Sequence, residues 1–191
     1  MSAFLGPIHY RMFNKACAVD DLARSIAALG DAQGWTQDGL ARLDATLPRL
    51  TGEVTDHIDL AQIHASLNSL VSRSEDALAA ACEPLSDHID EVADYARTLG
   101  AEAARTAQLD GTLRSAWSAM DEHWLDGMPC DGYMRLTSNE PDLVAWVINL
   151  APHPAAGYER IRTAWTDGFM DAAGIELASD GAGAYRISKA A

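Results

Sequence analysis

The 191-residue sequence predicts a mainly α-helical protein. We expect one domain over residues 1–191, a bundle of about six to seven helices with a short C-terminal β-hairpin in residues 175–191. Three observations predict this class. Apolar residues recur at three- and four-residue steps along most of the chain, which is the period of a helix buried on one face. Proline and glycine residues interrupt this pattern at spacings of about one helix length. In the last residues the pattern changes to the two-residue period of strands.

The first and second predicted helices cover residues 8–29 and 35–47. Pro7 stands where the first helical turn tolerates a proline, and Gly30 follows the last turn. Pro48 ends the second helix, because a proline ring clashes with the preceding turn. The apolar face of the first helix carries Ile8, Met12, Ala16, Val19, Ala23 and Ile26.

The third predicted helix, residues 59–83, carries the most informative polar residue of the chain. Asp59 caps its first turn and Pro84 ends it. His64 follows one apolar residue by a turn and precedes another by a turn, so we expect its side chain to be buried and to face another helix. The apolar face of this helix is predicted to hold Leu60, Ile63, Leu67, Leu70, Val71 and Leu78.

The fourth and fifth predicted helices cover residues 86–108 and 113–125. Ser86 or Asp87 starts the fourth helix, and acidic residues in its first turn favour that start. Gly100 falls inside this helix and is a candidate kink. The apolar face of the fifth helix carries Trp117, Met120 and Trp124.

Two more helices are predicted over residues 141–150 and 156–173. Pro152 and Pro154 close the first of them, and Gly174 stops the second. The second also has aromatic residues at helical spacing, which we interpret as core packing.

The tail is predicted to form a hairpin, because apolar and polar residues alternate on both sides of Asp180-Gly181, a turn signal. Two strands alone are only marginally stable, so we expect the hairpin to pack against the helices.

Composition and charge limit the kinds of partner and the compartment that we expect for this protein. The apolar fraction is 48 % and the net charge is −14, from 28 acidic and 14 basic residues. Such an acidic surface repels phosphate backbones and anionic lipid headgroups, so we expect neither a nucleic-acid nor a membrane partner. No apolar run approaches the roughly 18 residues of a spanning helix. The cysteines, Cys17, Cys82 and Cys130, are odd in number and widely spaced, which is typical of a reducing cytoplasm.

Phosphate-binding loops, dinucleotide fingerprints and zinc-helix motifs are absent from the sequence, which leaves histidines and one thiol as candidate site residues. We predict an interior site formed by His9, His64, His123 and Cys130. His9 lies in the first turn of the first helix, His123 at the end of the fifth, and Cys130 in the bent loop Gly-Met-Pro-Cys-Asp-Gly. Each histidine also has a structural interpretation, as a helix-end or buried residue whose ring is satisfied by hydrogen bonds.

The ligand set is mixed nitrogen and sulfur, which suits zinc or iron better than calcium or magnesium. Asp126, Asp131 and His57 are possible additional ligands. Carboxylates beside Cys130 raise the pKa of a thiol, so they favour a metal over a free thiolate. Because Met128 and Cys130 are the apolar side chains of the loop and the aspartates prefer water, we expect Cys130 to turn inward.

Three short segments resemble a family of uncharacterised bacterial helical proteins. These are LGPIHYRMFNK at residues 5–15, Ile-His at 63–64 and GMPCD at 127–131. The family opens with Leu-Gly-Pro-Ile-His-Tyr, closes that segment with Asn-Lys and carries an Ile-His pair on a later helix. The resemblance implies no substrate and no catalytic residue, but it selects the segments around His9, His64 and Cys130. Phe13 replaces the family's usual tyrosine.

The leading hypothesis is therefore a cytoplasmic helical protein that binds a metal ion, zinc or iron, or a small ligand in its interior. A second hypothesis is a metal-free interaction or regulatory module, with structural histidines and a homodimer contact through Trp146, Val147 and Leu150 or the hairpin edge. The third is a thiol enzyme with Cys130 as nucleophile and a histidine as base. No reaction follows from the sequence.

Overall fold

The computed structural model describes residues 4–189 and is mainly helical. Each helix overlaps a predicted one, so the helical class is confirmed. The helices are α1 (Pro7–Ala32), α2 (Gly39–Thr46), α3 (Ile63–Cys82), α4 (Ile89–Thr106), α5 (Leu113–Asp121) and α6 (Tyr158–Ala172), with short 3-10 helices at Val54–Asp56 and Glu83–His88. The strands are β1 (Met134–Glu140), β2 (Leu143–Ile148), β3 (Ile175–Ser179) and β4 (Ala184–Lys189).

The prediction of a helix over residues 141–150 is wrong, because this segment turns and then forms β2. In β2, Val144, Trp146 and Ile148 are buried, while the residues between them are more exposed. That two-residue alternation belongs to a strand with one buried face. The C-terminal hairpin is confirmed, but it is part of a larger four-stranded sheet.

The contacts divide the chain into two compact units. Within residues 4–189, unit 1 comprises residues 4–85 together with Glu122–Asp131 and Pro154–Ala156. Unit 2 comprises Ser86–Asp121, Gly132–His153 and residues 157–189. The single domain expected from the sequence stays a prediction, because a division by contacts does not test independent folding.

Unit 1 is built on α1 and α3, which run in the same direction. Near the start of α1, the rings of Phe13 and His57 lie 5.2 Å apart. At the other end, a Cβ added to Gly30 would meet the side chain of Leu85, which follows α3. An early residue of α1 thus contacts the segment before α3, and a late residue of α1 contacts the segment after it. The first turns of α1 and α3 therefore lie toward the same end of unit 1.

A buried ion pair fastens the chain after α2 to α1. Asp20 is fully buried and accepts a hydrogen bond from Arg24 Nη1 at 2.8 Å and one from the Leu50 backbone N–H at 3.0 Å. Arg24 also donates to the Leu47 carbonyl. These bonds satisfy the buried charges, which would otherwise be costly to desolvate.

Unit 2 is built on α4 and α6, which cross at two glycines. A Cβ on Gly100 would lie 2.9 Å from the carbonyl carbon of Trp165, and closer still to its oxygen. A Cβ on Gly168 would lie 2.8 Å from the carbonyl carbon of Arg97, and again closer to its oxygen. The kink suggested at Gly100 stays a prediction, but the structure shows a packing role for this glycine. It allows the backbone of α6 to approach.

The sheet of unit 2 has the strand order β1-β2-β4-β3, and all its pairs are antiparallel. A register shift in β1 between Leu136 and Ser138 marks a bulge. The inner face packs against helices α5 and α6. Its buried side chains are Val144, Trp146, Ile148, Tyr185 and Ile187.

None of the helices formed by residues 4–189 combines the length and the apolar character that crossing a bilayer requires.

Candidate functional site

The segment that holds Cys130 ends in a tight turn. The Asp131 backbone N–H donates to the Met128 carbonyl, and the Asp131 carboxylate accepts from the Met128 N–H, both at 2.8 Å. Met128 is buried, as expected, but Cys130 is exposed at the turn, with its sulfur 4.0 Å from Asp131 Oδ1. The prediction that Cys130 turns inward is wrong. The two hydrogen bonds to Asp131 fix a turn in which Met128 takes the inward position alone.

The prediction that His64 is buried is also wrong, because His64 is exposed. Helix α3 begins at Ile63, so Leu60 precedes the helix and does not set its buried face. The buried stripe instead starts at Ile63 and continues through Leu67 and Leu70. His64 lies one residue beyond Ile63, about 100° further around the helix, and so faces water.

His9 and His57 have structural partners. The Gly6 backbone N–H donates to His9 Nδ1 at 2.7 Å, which satisfies an amide at the start of α1 that no helical carbonyl reaches. His57 Nε2 donates to the Thr51 carbonyl at 2.7 Å, and its ring packs on Phe13. Each of these histidines therefore uses one ring nitrogen within unit 1.

Among the remaining candidates, Asp126 is buried and His123 is partly buried. Burial lowers the pKa of His123, and the nearby Glu122 partly opposes that shift. Asp126 is 8 % exposed, although we expected it to prefer water. The segment that carries both is attached to α1 by the ion pair between Arg11 and Glu122, at 2.7 Å.

Two of the cysteines have thiols with raised pKa values. Burial raises the pKa of Cys82 to about 12. Burial, together with the carboxylates of Asp21 and Asp20, raises the pKa of Cys17. Both thiols are therefore protonated near neutral pH and are poor nucleophiles.

The parallel course of α1 and α3 brings His9, His57 and His64 toward the same end of unit 1, but it does not gather them into one ligand set. Within residues 4–189, no group of three or more histidine, cysteine or acidic side chains is arranged to hold a metal ion. Zinc or iron binding by His9, His64, His123 and Cys130 stays a prediction.

A pocket of about 290 Å³ lies in unit 1 between α1, α2 and the end of α3. Most of its wall is apolar and small, because alanine and glycine stand where larger side chains would fill the space. The residues lining it are Ala27, Thr36, Gly39, Arg42, Leu43, Thr46, Ala80, Ala81, Pro84 and Leu85.

Helix α2 forms one wall of this pocket and is tied down at both ends. Asp31 on α1 accepts hydrogen bonds from the backbone N–H groups of Gly39 and Leu40, at 2.7 and 3.0 Å, and from the Thr36 hydroxyl. These bonds lower the pKa of Asp31. The carbonyl of Leu47, just after α2, is held by Arg24. These bonds hold both ends of α2 against α1.

Arg42 is the charged residue of the pocket lining. Within residues 4–189, no carboxylate forms an ion pair with its guanidinium, although its positive charge contributes to the lowered pKa of Asp31 on α1. The two threonine hydroxyls of the lining are already used: Thr36 donates to Asp31, and Thr46 donates to the Arg42 carbonyl at 2.9 Å. The pocket thus presents apolar walls and one positive group at its edge.

No family model matches the chain, and neither a curated protein nor a solved structure shows significant similarity to it. The resemblance to the Leu-Gly-Pro-Ile-His-Tyr family stays a prediction.

No local pattern in the sequence indicates this pocket. The alanines at 27, 80 and 81 fit a helical pattern equally well when the helices are in direct contact. Arg42 is one of several exposed arginines on the helices. Only the three-dimensional course of α2 shows that these residues surround an open space.

Proposed function

We propose that the protein binds a small, largely apolar organic molecule that carries one anionic group, such as a short carboxylic acid. This proposal keeps the ligand-binding part of the sequence-based hypothesis and moves the site from the histidines to the pocket of unit 1. The observation that carries it is an apolar pocket edged by one arginine, Arg42, whose guanidinium makes no ion pair within residues 4–189.

The pocket volume limits the ligand. An apolar cavity of about 150 Å³ accommodates benzene, so about 290 Å³ accommodates a molecule of roughly ten non-hydrogen atoms. Small ligand sites are mostly apolar with a few polar groups that fix orientation, and this lining has that character. A guanidinium binds a carboxylate through parallel hydrogen bonds, so a carboxylate at the pocket edge explains the position of Arg42.

The test is a titration monitored by amide chemical shifts, with phenylacetate and hexanoate compared with the neutral phenylacetamide and hexanamide. Shifts are expected for residues of α2 and the end of α3. The carboxylates should bind about tenfold more tightly than the amides, because a charge-assisted hydrogen bond at an exposed edge contributes roughly 1.4 kcal/mol.

Two variants separate charge from shape. Arg42→Gln should remove the preference for carboxylates and leave amide binding unchanged. Ala80→Phe should block both ligand types, since Ala80 is an exposed lining residue that can be enlarged without disturbing the core. Arg105→Gln, an exposed arginine on α4, is the matched control and should bind like the wild type. Binding that survives Ala80→Phe, or no binding up to about 10 mM ligand, would refute the proposal.

Metal binding is tested separately. Elemental analysis after anaerobic purification should find zinc or iron at one ion per chain if the histidine and cysteine hypothesis is right. His64→Ala and Cys130→Ser would then lower the metal content sharply, because an alanine offers no ligand and a hydroxyl replaces a thiolate poorly.

A further inference from the structure

The sheet of unit 2 exposes its outward face to solvent. Side chains alternate between the two faces of each strand, so the residues between the buried ones point away from the helices. Most outward side chains near the centre of this face are small, and they leave a groove of about 400 Å³ across the strands. The outward residues that line this groove are Ala145, Val147, Ala178, Ala184 and Arg186.

The strand register places two arginines on this face. Arg186 on β4 is paired with Ala145 on β2, and Arg135 on β1 is paired with Val147 on β2. The two arginines are therefore separated by two strand spacings across the sheet and by two residues along the strands. At about 4.8 Å per strand and 3.4 Å per residue, their Cα atoms are about 12 Å apart.

Within residues 4–189 the side chains of Arg135 and Arg186 are exposed and make no ion pair or side-chain hydrogen bond. Several other arginines do pair with carboxylates, as expected for a chain with a net charge of −14. The paired arginines are Arg11, Arg24, Arg49, Arg97 and Arg160. The carboxylates on this side of the sheet are Glu140 and Glu176, in the register row of Leu143, and Asp180 at the edge of the groove. At physiological ionic strength charges more than about 8 Å away are largely screened, so a segment laid between the two arginines meets mainly their charges.

The size of the face determines which partner fits. Four strands of about six residues cover roughly 20 by 20 Å, or about 400 Å². A stable dimer interface requires about 800 Å² from each partner. The face is therefore too small for a second copy of this acidic chain to form a stable dimer through it alone, but it accommodates a short segment of another protein.

We propose that the outward face of the sheet docks a short, extended acidic segment of a partner protein. Carboxylates at positions i and i+4 of an extended chain lie on one side, about 13 Å apart, which matches the separation of Arg135 and Arg186. The side chain at i+2 points the same way and lies over the small residues Ala145 and Ala184. The segment thus has an acidic residue at each end and a small apolar residue between them.

The test uses the labelled peptide Glu-Thr-Val-Thr-Glu and its counterpart with glutamine in place of glutamate, measured by fluorescence anisotropy. The glutamate peptide should bind at least about tenfold more tightly than the glutamine peptide. Raising the salt from about 50 to about 300 mM should weaken the binding of the glutamate peptide several-fold.

Arg135→Gln and Arg186→Gln should each weaken the glutamate peptide about five-fold, whereas Arg105→Gln on α4 should leave its affinity unchanged. Circular dichroism confirms that each variant is folded. Equal affinity for the two peptides, or unaltered binding by both sheet variants, would overturn the proposal. It would also be overturned by tighter binding of a single-stranded oligonucleotide to the same arginines, or by sedimentation showing a dimer that Val147→Arg dissociates.

Discussion

Replacing Gly100 by alanine should destabilise the protein, although alanine is the better helix former. The new Cβ would lie 2.9 Å from the carbonyl carbon of Trp165, and this neighbour belongs to the backbone of α6. Since carbon atoms pack best at about 3.5 to 4.0 Å, the two helices must separate by about 1 Å. Helix propensity favours alanine by about 1 kcal/mol. Overpacking costs about 1 to 3 kcal/mol, and the upper end applies because backbone cannot rotate away.

The expected net loss for Gly100→Ala is about 2 kcal/mol in the free energy of unfolding. In a chain of this length that lowers the melting temperature by about 6 °C. Urea unfolding followed by circular dichroism measures the free energy directly. Thr98→Ala, an exposed substitution on the same helix, is the control and should change it by no more than about 0.5 kcal/mol.

Gly168→Ala should cost a similar amount, because its Cβ would meet the backbone of Arg97. The double variant should cost less than the sum of the single variants, since one separation of the helices relieves both contacts. A Gly100→Ala protein as stable as the wild type, or a strictly additive double variant, would show that the two helices do not depend on this close crossing.

Three further predictions concern single side chains. Asp20→Ala should lower the free energy of unfolding by about 3 kcal/mol in urea titrations, because it leaves the Leu50 backbone N–H without its acceptor and the buried Arg24 guanidinium with only the half-exposed Asp44 carboxylate; an effect below about 1 kcal/mol would contradict the buried ion pair. Because burial lowers the pKa of His123, the folded state disfavours the protonated ring. Stability should therefore fall as the pH drops below about 6.5, the ordinary histidine value. His123→Phe should remove that part of the decline, and an unchanged pH profile would count against it. Iodoacetamide followed by peptide mass spectrometry should modify Cys130 well before Cys82, whose pKa is about 12; the reverse order would contradict the exposed turn.

The helical part of the fold could be predicted because its signals are local. Pro7 begins α1, and the three- and four-residue spacing of its apolar residues predicts the face that is buried. The strands of residues 134–148 were missed because pairing is not local. β2 is completed by β4, which follows it after α6. A short apolar run such as Leu143–Ile148 fits either structure until its partner is known, although its valines, isoleucine and tryptophan favour a strand.

The candidate site was harder to predict than the fold, for two physical reasons. Helix α3 begins at Ile63, four residues after the predicted start at 59, so Leu60 lies outside the helix and His64 lies at the surface; the face of a single polar residue thus depends on the helix boundary. The Cys130 turn depends on hydrogen bonds to Asp131, and composition alone favoured an inward thiol. The pocket beside Arg42 is a space that small side chains leave between helices. No local sequence pattern predicts such a space.

The discontinuous course of unit 1 has a consequence for synthesis on the ribosome. Its first part is complete at Leu85, but Trp124, Leu125 and Met128, which are among its buried side chains, are added only after Ser86–Asp121 of unit 2. Closing contacts over such a sequence separation slows folding and leaves apolar surface uncovered in the meantime. Nascent chains that end near Leu85 should therefore bind chaperones and be cut easily by proteases, and resistance should appear once the segment through Asp131 has emerged.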